Sequence, residues 1–338
     1  MNPAQHSSNE FYILPFGLGP IGMQILRKCY RARNVTLLGA VDIDPAKVGR
    51  DLGTLIEAQP LGIAVRSHLE EIPPQECTAA SKIAIHATGS QLPRVWPQIR
   101  ALLAHGFSVV STCEELSYPW HRYPDLAAEI DAYARERKLA VLGTGVNPGF
   151  VMDTLVLALT AVTDAVSAIQ VRRQVDVSKR RLPLQQKVGV GMDEAKFRQL
   201  AADGKIGHVG LEESVRLIAY GLGHTLTDVA NTIAPIVPPS ESSVSGLHQT
   251  SVGKTTGGID INLDLTMALG VEQFDEIVVT GDSTERLLVP EGIFGDTATA
   301  AIAVNSAKML AQSTETGLLT MADAGLPRGL SPRTEQAL

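Results

Sequence analysis

The sequence predicts an α/β protein: a mostly parallel sheet in the first half of the chain, then a second, α+β domain carrying an open, largely antiparallel sheet. Three observations predict it. Short apolar runs alternate with helix-length segments as far as about residue 145. The alternation breaks at Val146–Phe150. Beyond it come longer strands with a period of two, the clearest being Gly258–Met267. Continuous apolar runs between helices suit parallel strands covered on both faces, whereas alternating runs suit half-buried antiparallel strands.

The elements follow in order. Phe11–Phe16, FYILPF, is a short strand that runs directly into Gly17-Leu18-Gly19-Pro20-Ile21-Gly22. Met23–Tyr30 has helical spacing, with Ile21, Ile25 and Leu26 on one side. Val35–Ile43 is the second strand and contains Asp42, twenty residues after Gly22. Strand, G-x-G-x-x-G, helix, strand and acid form the dinucleotide-binding fingerprint of a Rossmann-type domain. Gly17 allows the sharp turn, Gly19 leaves room for a pyrophosphate, and Gly22 permits close helix packing. The helix N-terminus supplies N–H groups and dipole to the phosphates. Asp42 is placed to accept from ribose hydroxyls. It favours NAD over NADP, although Lys47 and Arg50 follow closely and leave a 2′-phosphate open.

Pro45–Val48 reads as the start of a short helix or as a turn, and Ile63–Val65 as a short strand. Lys82–His86 is a clearer strand and ends in Ala87-Thr88-Gly89-Ser90. That turn lies either beside a nicotinamide ribose or merely at a strand-to-helix junction. Leu92–His105 is a helix stopped by Gly106. Phe107–Ser111 is a strand delivering Thr112-Cys113-Glu114-Glu115. Tyr123–Arg137 is a helix and Leu139–Gly143 a strand. After the turn Asn147-Pro148-Gly149-Phe150 come a helix at Met152–Leu159, a strand at Val166–Val175, and a basic segment, Ser178–Lys187. Asp193–Ala202 and Glu212–Leu222 read as helices, and Ile233–Gly246 as a proline- and serine-rich loop. Ser251–Thr255, Gly258–Met267 and Glu276–Val279 are strands. Gly258–Met267 sets Ile259, Ile261, Leu263 and Leu265 on one face. Thr297–Gln312 is a helix that returns to the first domain. The domains are drawn at 11–150 for dinucleotide binding and 151–290 for substrate binding and dimerisation. The returning C-terminal helix takes 291–325. The tail, 326–338, is expected to be loose or to pack on a partner subunit.

Composition narrows the classes. The 338 residues include 44% apolar ones, enough for two domains with a sizeable core, and carry a net charge of −7. No basic block suits nucleic acid. Cys29, Cys77 and Cys113 have neither metal-ligand nor disulfide spacing, so no metal site and a reducing cytoplasm are expected. No apolar run spans a membrane, and residues 1–10 lack the core of a signal peptide.

Two such domains imply a cleft, most often used for hydride transfer. Glu114 and Glu115, at the end of a parallel strand, are candidates for a general base. Two adjacent acids cannot both enter one small pocket, so one is a wall residue; both equally suit a helix start. Asn147 either caps the following helix or bonds substrate or nicotinamide. Asp153 either caps that helix or faces the cleft. Arg172, Arg173, Lys179, Arg180, Arg181 and Lys187 either hold a substrate carboxylate, form a solvated face, or pair with acids across a dimer interface. His208 and Glu212 are a plausible pair. No H-E-x-x-H motif accompanies them, and no G-x-S-x-G elbow surrounds Ser214.

At Val110–Pro119, VSTCEELSYP, and Gly143–Asp153, GTGVNPGFVMD, the chain resembles the 2,4-diaminopentanoate dehydrogenases and the related native amine dehydrogenases. These carry a dihydrodipicolinate reductase-like first domain. The likeness continues through Arg173–Gly191 and GKIGHVGLEES at Gly204–Ser214. It implies NAD- or NADP-dependent, reversible oxidative deamination of a primary amine to a ketone and ammonia, by a homodimer. It carries the catalytic glutamate to Glu114, with Glu115 the alternative, and matches Asn147 to an active-site turn. Thr112, Ala87, Thr88 and Gly89 join Gly17–Gly22, Asp42 and Asn147 on the cofactor side. Phe150, Asp153 and Arg173 join Asn147 on the substrate side. A simple amine wants an apolar wall of Phe150, Val151 and Met152. A diamino acid wants Arg173 and its neighbours for the carboxylate, with Asp153 or Glu115 for the second ammonium. The apolar residues near the turn favour the simple amine. Two rivals remain: a cyclic imine reductase, and an NAD(P)-binding sensor without turnover.

Overall fold

The computed structural model describes residues 10–73, 82–180, 182–239 and 242–333. Cys77, Arg181 and the extreme termini, about which the sequence carried expectations, lie outside the described residues. The elements begin with β1 (Phe11–Phe16), α1 (Pro20–Arg31), β2 (Val35–Leu37), β3 (Ala40–Val41), α2 (Leu52–Leu55) and β4 (Val65–Arg66). They continue with β5 (Lys82–His86), α3 (Leu92–Ala104), β6 (Ser108–Ser111), α4 (Pro124–Glu136) and β7 (Ala140–Gly143). Next come α5 (Thr154–Thr160), β8 (Ala168–Asp176), α6 (Leu182–Lys187), α7 (Glu194–Ala202) and α8 (Leu211–Gly221). Five strands follow: β9 (Leu226–Ile236), β10 (Gly246–Thr255), β11 (Asp260–Ala268), β12 (Phe274–Thr280) and β13 (Thr284–Pro290). The chain ends with α9 (Gly295–Ala311), β14 (Gly317–Leu319) and α10 (Met321–Ala324).

The chain forms two compact units, Met1–Val146 with Gly295–Leu338, and Asn147–Phe294. In the first unit an eight-stranded sheet runs β14-β7-β6-β5-β1-β3-β4, with β2 also on β1, and every pairing is parallel. Leu14, Ala84, Val109 and Val141 pack with α3 and α4 residues such as Ile99, Leu102 and Ile130. The alternate positions Ile13, Ile83, Val110 and Leu142 are buried too. Helices α1 and α9 pack together, and α9 covers β5 and β6. Burial on both faces explains the unbroken apolar runs. Each large aliphatic side chain so buried contributes roughly 1.5–3 kcal/mol.

Two details differ from the sequence reading. Val35–Ile43 is two strands, broken at Leu38-Gly39, where the chain passes close to the Ile72 side chain. Residues 328–333 are not loose. Leu330 N–H donates to Asn305 Oδ1, Arg33 N–H to the Ser331 carbonyl, and Arg333 Nη2 to the Val35 carbonyl at 2.8 Å.

The second unit holds a six-stranded sheet, β13-β12-β8-β11-β10-β9. All its pairings are antiparallel except β8 with β11. Ile261, Leu263 and Leu265 point inward with Ile169, Val171 and Ile277, while Asp260 and Asn262 face out. Helix α8 lies against β9, β10 and β11, and α5 against β12 and α8. Strand β9, LTDVANTIAPI, runs into the segment expected to be loop. It is an edge strand, exposed along much of its length, so it shows no apolar alternation and tolerates Pro235.

Candidate active site

One transverse row of residues ends the central strands of the first unit. Phe16 is in register with Val41 and His86, His86 with Ser111, and Ser111 with Gly143. The segments named as site candidates therefore leave the sheet side by side, at its carboxyl edge. Gly17, Asp42, Ala87, Thr112 and Thr144 each follow a member of the row.

The turn after β1 depends on its glycines. Gly17 has φ +89°, and a Cβ there would lie 2.7 Å from Thr88 Cγ2 and 2.8 Å from the Ala87 carbonyl oxygen. A Cβ on Gly22 would stand 1.8 Å from the Gly17 carbonyl oxygen. A Cβ on Gly19 would meet no heavy atom within 4 Å, so open space lies over the turn there. Helix α1 begins at Pro20, with no side-chain cap and no acid in its first turn. The helix thus brings no negative side chain of its own to its N–H groups and dipole. This cradle fits a dinucleotide pyrophosphate. Asp42 braces the turn: one oxygen accepts from Leu18 N–H at 2.5 Å, the other from Asp44 N–H at 2.8 Å. Lys47 sits 3.6 Å from Asp42 and 3.1 Å from Asp44. Ile43, next to Asp42, is 87% exposed.

The turn after β6 separates the two adjacent acids. Glu115 is buried, and its Oε2 accepts from Leu92 N–H, the first residue of α3, at 2.8 Å. Its Oε1 lies 3.5 Å from Arg122 Nη1. Glu115 is thus built into the start of α3. Glu114 opens a 3-10 turn, Glu114–Leu116, and is half-buried. The turn is seated from below, because a Cβ on Gly143 would lie 2.5 Å from the Leu116 carbonyl carbon. Gly143 therefore serves packing within the fold. Thr112 N–H donates to the His86 carbonyl at 3.0 Å.

His86 joins these turns and was missed as a site residue. Its Nδ1 lies 2.9 Å from Ser111 Oγ, and its Nε2 lies 2.8 Å from both Gln98 Oε1 and Thr88 Oγ1. Burial pulls its pKa down to about 4, so the imidazole is neutral. The signal was a polar residue closing the apolar run KIAIH.

In the second unit the turn Asn147–Phe150 is held by Asp153. This carboxylate is fully buried and accepts from Gly149 N–H at 2.7 Å, Thr154 N–H at 2.6 Å and Ser214 Oγ at 2.7 Å. Burial raises its pKa. The substrate-binding role expected of Asp153 is therefore corrected: its oxygens are committed to the turn, α5 and α8. Arg173 is corrected as well. Its Nη1 pairs with buried Asp275 at 2.5 Å and its Nη2 donates to the Ile293 carbonyl at 2.8 Å. Strand register makes this pair, since Arg173 lies opposite Asp275 and Arg172 opposite Glu276 on the other face. Arg172 and Arg286 both bond Glu276 and hold its carboxyl below the usual range. Glu212 accepts from Arg216 and Asn231, so it does not serve His208 as expected. Asn147 is buried, with Nδ2 3.1 Å from Met152 Sδ. Among the described residues Asn147 Oδ1 and His208 Nε2 have no hydrogen-bond partner.

Comparison with known proteins decides the family. Residues 150–338, more than half the chain, match the model of the 2,4-diaminopentanoate dehydrogenase C-terminal domain. The chain belongs to this family. The resemblance read from the motifs at Val110–Pro119 and Gly143–Asp153 agrees with it. Within the family, the chain is similar to 2,4-diaminopentanoate dehydrogenase of Acetoanaerobium sticklandii, 26% identical over 341 residues and covering 94% of each chain. Its fold is similar to that of amine dehydrogenase from Mycobacterium smegmatis. There the TM-score is 0.80 at 22% identity, covering 96% of this chain and 98% of that one. A more distant likeness of fold is GenD2 from gentamicin A biosynthesis, solved with NAD. Its TM-score is 0.54 at 16% identity, covering 86% of this chain and 75% of that one.

Proposed function

We propose that this member of the 2,4-diaminopentanoate dehydrogenase family is an NAD(P)-dependent amine dehydrogenase. It oxidises a small primary amine to a ketone and ammonia and runs the reverse reductive amination. One observation carries the assignment of roles: of the two acids after β6, Glu115 is built into the start of α3. The proton chemistry therefore falls to Glu114. Gly17–Gly22 hold the pyrophosphate, and Ala87, Thr88, Gly89 and Thr112 line the nicotinamide end. Asp42 faces the adenosine ribose, with Ile43 offering an apolar side chain beside it. Because Lys47 is already paired with Asp42 and Asp44, NAD is preferred to NADP.

NAD+, when bound, accepts a hydride from the amine-bearing carbon. Glu114 first takes a proton from the alkylammonium, which frees the nitrogen lone pair to assist hydride loss. Once that proton passes to solvent, the restored carboxylate of Glu114 stabilises the iminium by its negative charge. When water attacks the iminium, Glu114 receives the water's proton and returns it to the nitrogen as the C–N bond breaks, releasing ammonia and leaving the ketone. Asn147 and Phe150 belong to the substrate side. A simple aliphatic amine is the favoured substrate, because Arg173 and Arg172 are committed to acids of their own sheet and leave a substrate carboxylate less well served. The second reading, 2,4-diaminopentanoate itself, is supported by the family match and by the Acetoanaerobium relative. We read the protein further as a cytoplasmic homodimer. Buried free thiols at Cys29 and Cys113 and the long exposed edge strand β9 support this.

The test is NAD(P)H formation with 2-aminopentane and 2,4-diaminopentanoate side by side, each with NAD+ and NADP+. The simple amine with NAD+ is expected to win. Preference for the diamino acid would establish the second reading. Silence on both, with cofactor bound, would favour the sensor or imine reductase. In Glu114→Gln, turnover should fall by about 10²–10⁴-fold with cofactor affinity nearly intact.

A further inference from the structure

We propose that His86 is a positioning residue for the reaction: its imidazole locks the turn carrying Glu114 to the turn carrying Thr88. The proposal rests on the reading of Glu114 as the proton acceptor and of the Thr88 turn as the nicotinamide end of the site.

The hydrogen bonds run in one direction. Ser111 Oγ accepts from Cys113 N–H at 3.1 Å, so its own proton is directed to His86 Nδ1. Nε2 then carries the ring proton and donates to Gln98 Oε1 and Thr88 Oγ1. Thr88 Oγ1 in turn donates to Gln98 Oε1 at 2.5 Å. Phe16, the last residue before the glycine turn, stacks on the ring at a centroid distance of 5.8 Å. One imidazole therefore touches the ends of β1, β5 and β6 and the body of α3.

The Cys113 and Glu114 carbonyls accept within their own turn, from Leu116 and Ser117 N–H, and the flanking residues tie that turn to β5 and α3. Thr112 is tied to the His86 carbonyl, and Glu115 to the Ser90 carbonyl and Leu92 N–H. Cys113, immediately before Glu114, is fixed through Ser111 Oγ, and so through His86. On the other side Thr88 lies against Gly17 of the cofactor turn. The link thus spans from the cofactor turn to the residue that precedes the acid. Stability alone is a poor reason for such a chain. An apolar set of the same shape, replacing all partners, would hold the fold about as well. A chain of hydrogen bonds adds fixed direction, and displacement of about 1 Å between reacting groups can cost ~10²-fold in rate.

The experiment compares the full chain with His86→Leu, His86→Asn and Ser111→Ala, and Glu114→Gln runs in parallel. Four quantities are measured. They are kcat with its primary deuterium isotope effect on an amine deuterated at the nitrogen-bearing carbon, NADH affinity, thermal midpoint, and amide hydrogen exchange over residues 112–116. In His86→Leu, kcat should fall by about 10–100-fold, within the range that misplacement produces. The isotope effect should rise, exchange at 112–116 should quicken, and NADH affinity should stay near that of the parent. His86→Asn, whose Oδ1 can stand in for Nδ1 toward Ser111, should recover part of kcat. Ser111→Ala should resemble His86→Leu, and carries the test if that variant does not fold. Unchanged kcat, or a fall in step with NADH affinity and thermal midpoint, would overturn the proposal. If Glu114→Gln still turns over, it is the reading of Glu114 that fails. Exchange at 112–116 then decides the link alone: quickened exchange upholds it, and unchanged exchange overturns it.

Discussion

A carboxylate that closes the start of a helix cannot shuttle protons without releasing that helix. Removing the Glu115 carboxylate leaves Leu92 N–H buried and unpaired, which costs about 1–3 kcal/mol. Glu115→Ala should therefore lower the unfolding midpoint in urea, and Glu114→Ala should lose turnover. Asp153 is a second case. Its replacement by Ala strands donors at Gly149, Thr154 and Ser214. The expected effect is a stability loss of at least ~3 kcal/mol, read by chemical denaturation, with KM for the amine little changed in the folded fraction. The sequence showed Asp153 as a helix cap or cleft residue. That it is buried beneath Ser214 was not visible, because nothing in the intervening residues says that α8 lies over the turn.

Elements carry their own tests. Strand β7 ends in Gly143, pressed against the backbone of the Glu114–Leu116 turn. Gly143→Ala adds a Cβ where backbone already stands, so the turn must move. Turnover should fall at least ~10-fold, the scale of catalytic misplacement, with NADH affinity retained; unaltered kcat would show that the turn tolerates the shift. In the other unit, pairing of β8 with β12 buries Arg173 against Asp275. Arg173→Met should destabilise by about 3–5 kcal/mol, because it leaves a buried carboxylate uncompensated. Adding Asp275→Leu should restore part of that loss, the Ile293 N–H losing its acceptor. A double-mutant cycle in urea measures it. A selective rise in KM with the single variant would instead return Arg173 to the substrate site. The basic cluster in the sequence looked like a ligand clamp because register is a long-range property. Only the partner strand reveals that each arginine faces an acid.

At the scale of the whole molecule, buried titratable groups shape stability against pH. Burial holds His86 neutral with a pKa near 4. Burial, with Lys187 and Arg173 nearby, holds His208 at about 3. In the unfolded chain both take up protons near pH 6.5, so the unfolded state binds more protons below that pH. Their contribution is present at neutral pH and is lost as pH falls from 6.5 toward 4 for His86 and toward 3 for His208. Asp153, with a raised pKa, acts in the opposite sense, losing stability as pH rises through its folded value. His208→Leu removes one histidine's share, together with a buried nitrogen that has no partner among the described residues. Its urea midpoint should equal or exceed the parent's at pH 7 and decline less between pH 6.5 and 4.5. A steeper decline would show that the ring is not held neutral.

The sequence by itself determined the fold class, the glycine turn with Asp42, the strand ends that carry Glu114 and Thr88, and the family. These signals are local: a period of two or of 3.6, glycine spacing, a polar residue closing an apolar run. Tertiary structure alone decided which of Glu114 and Glu115 is tied to α3, that Arg173 and Asp153 are internal partners, and that His86, Ser111 and Gln98 form one chain. It also decided that β9 pairs at an edge. Each of these depends on residues far apart in sequence meeting through strand register or helix packing, and no composition or spacing encodes that meeting.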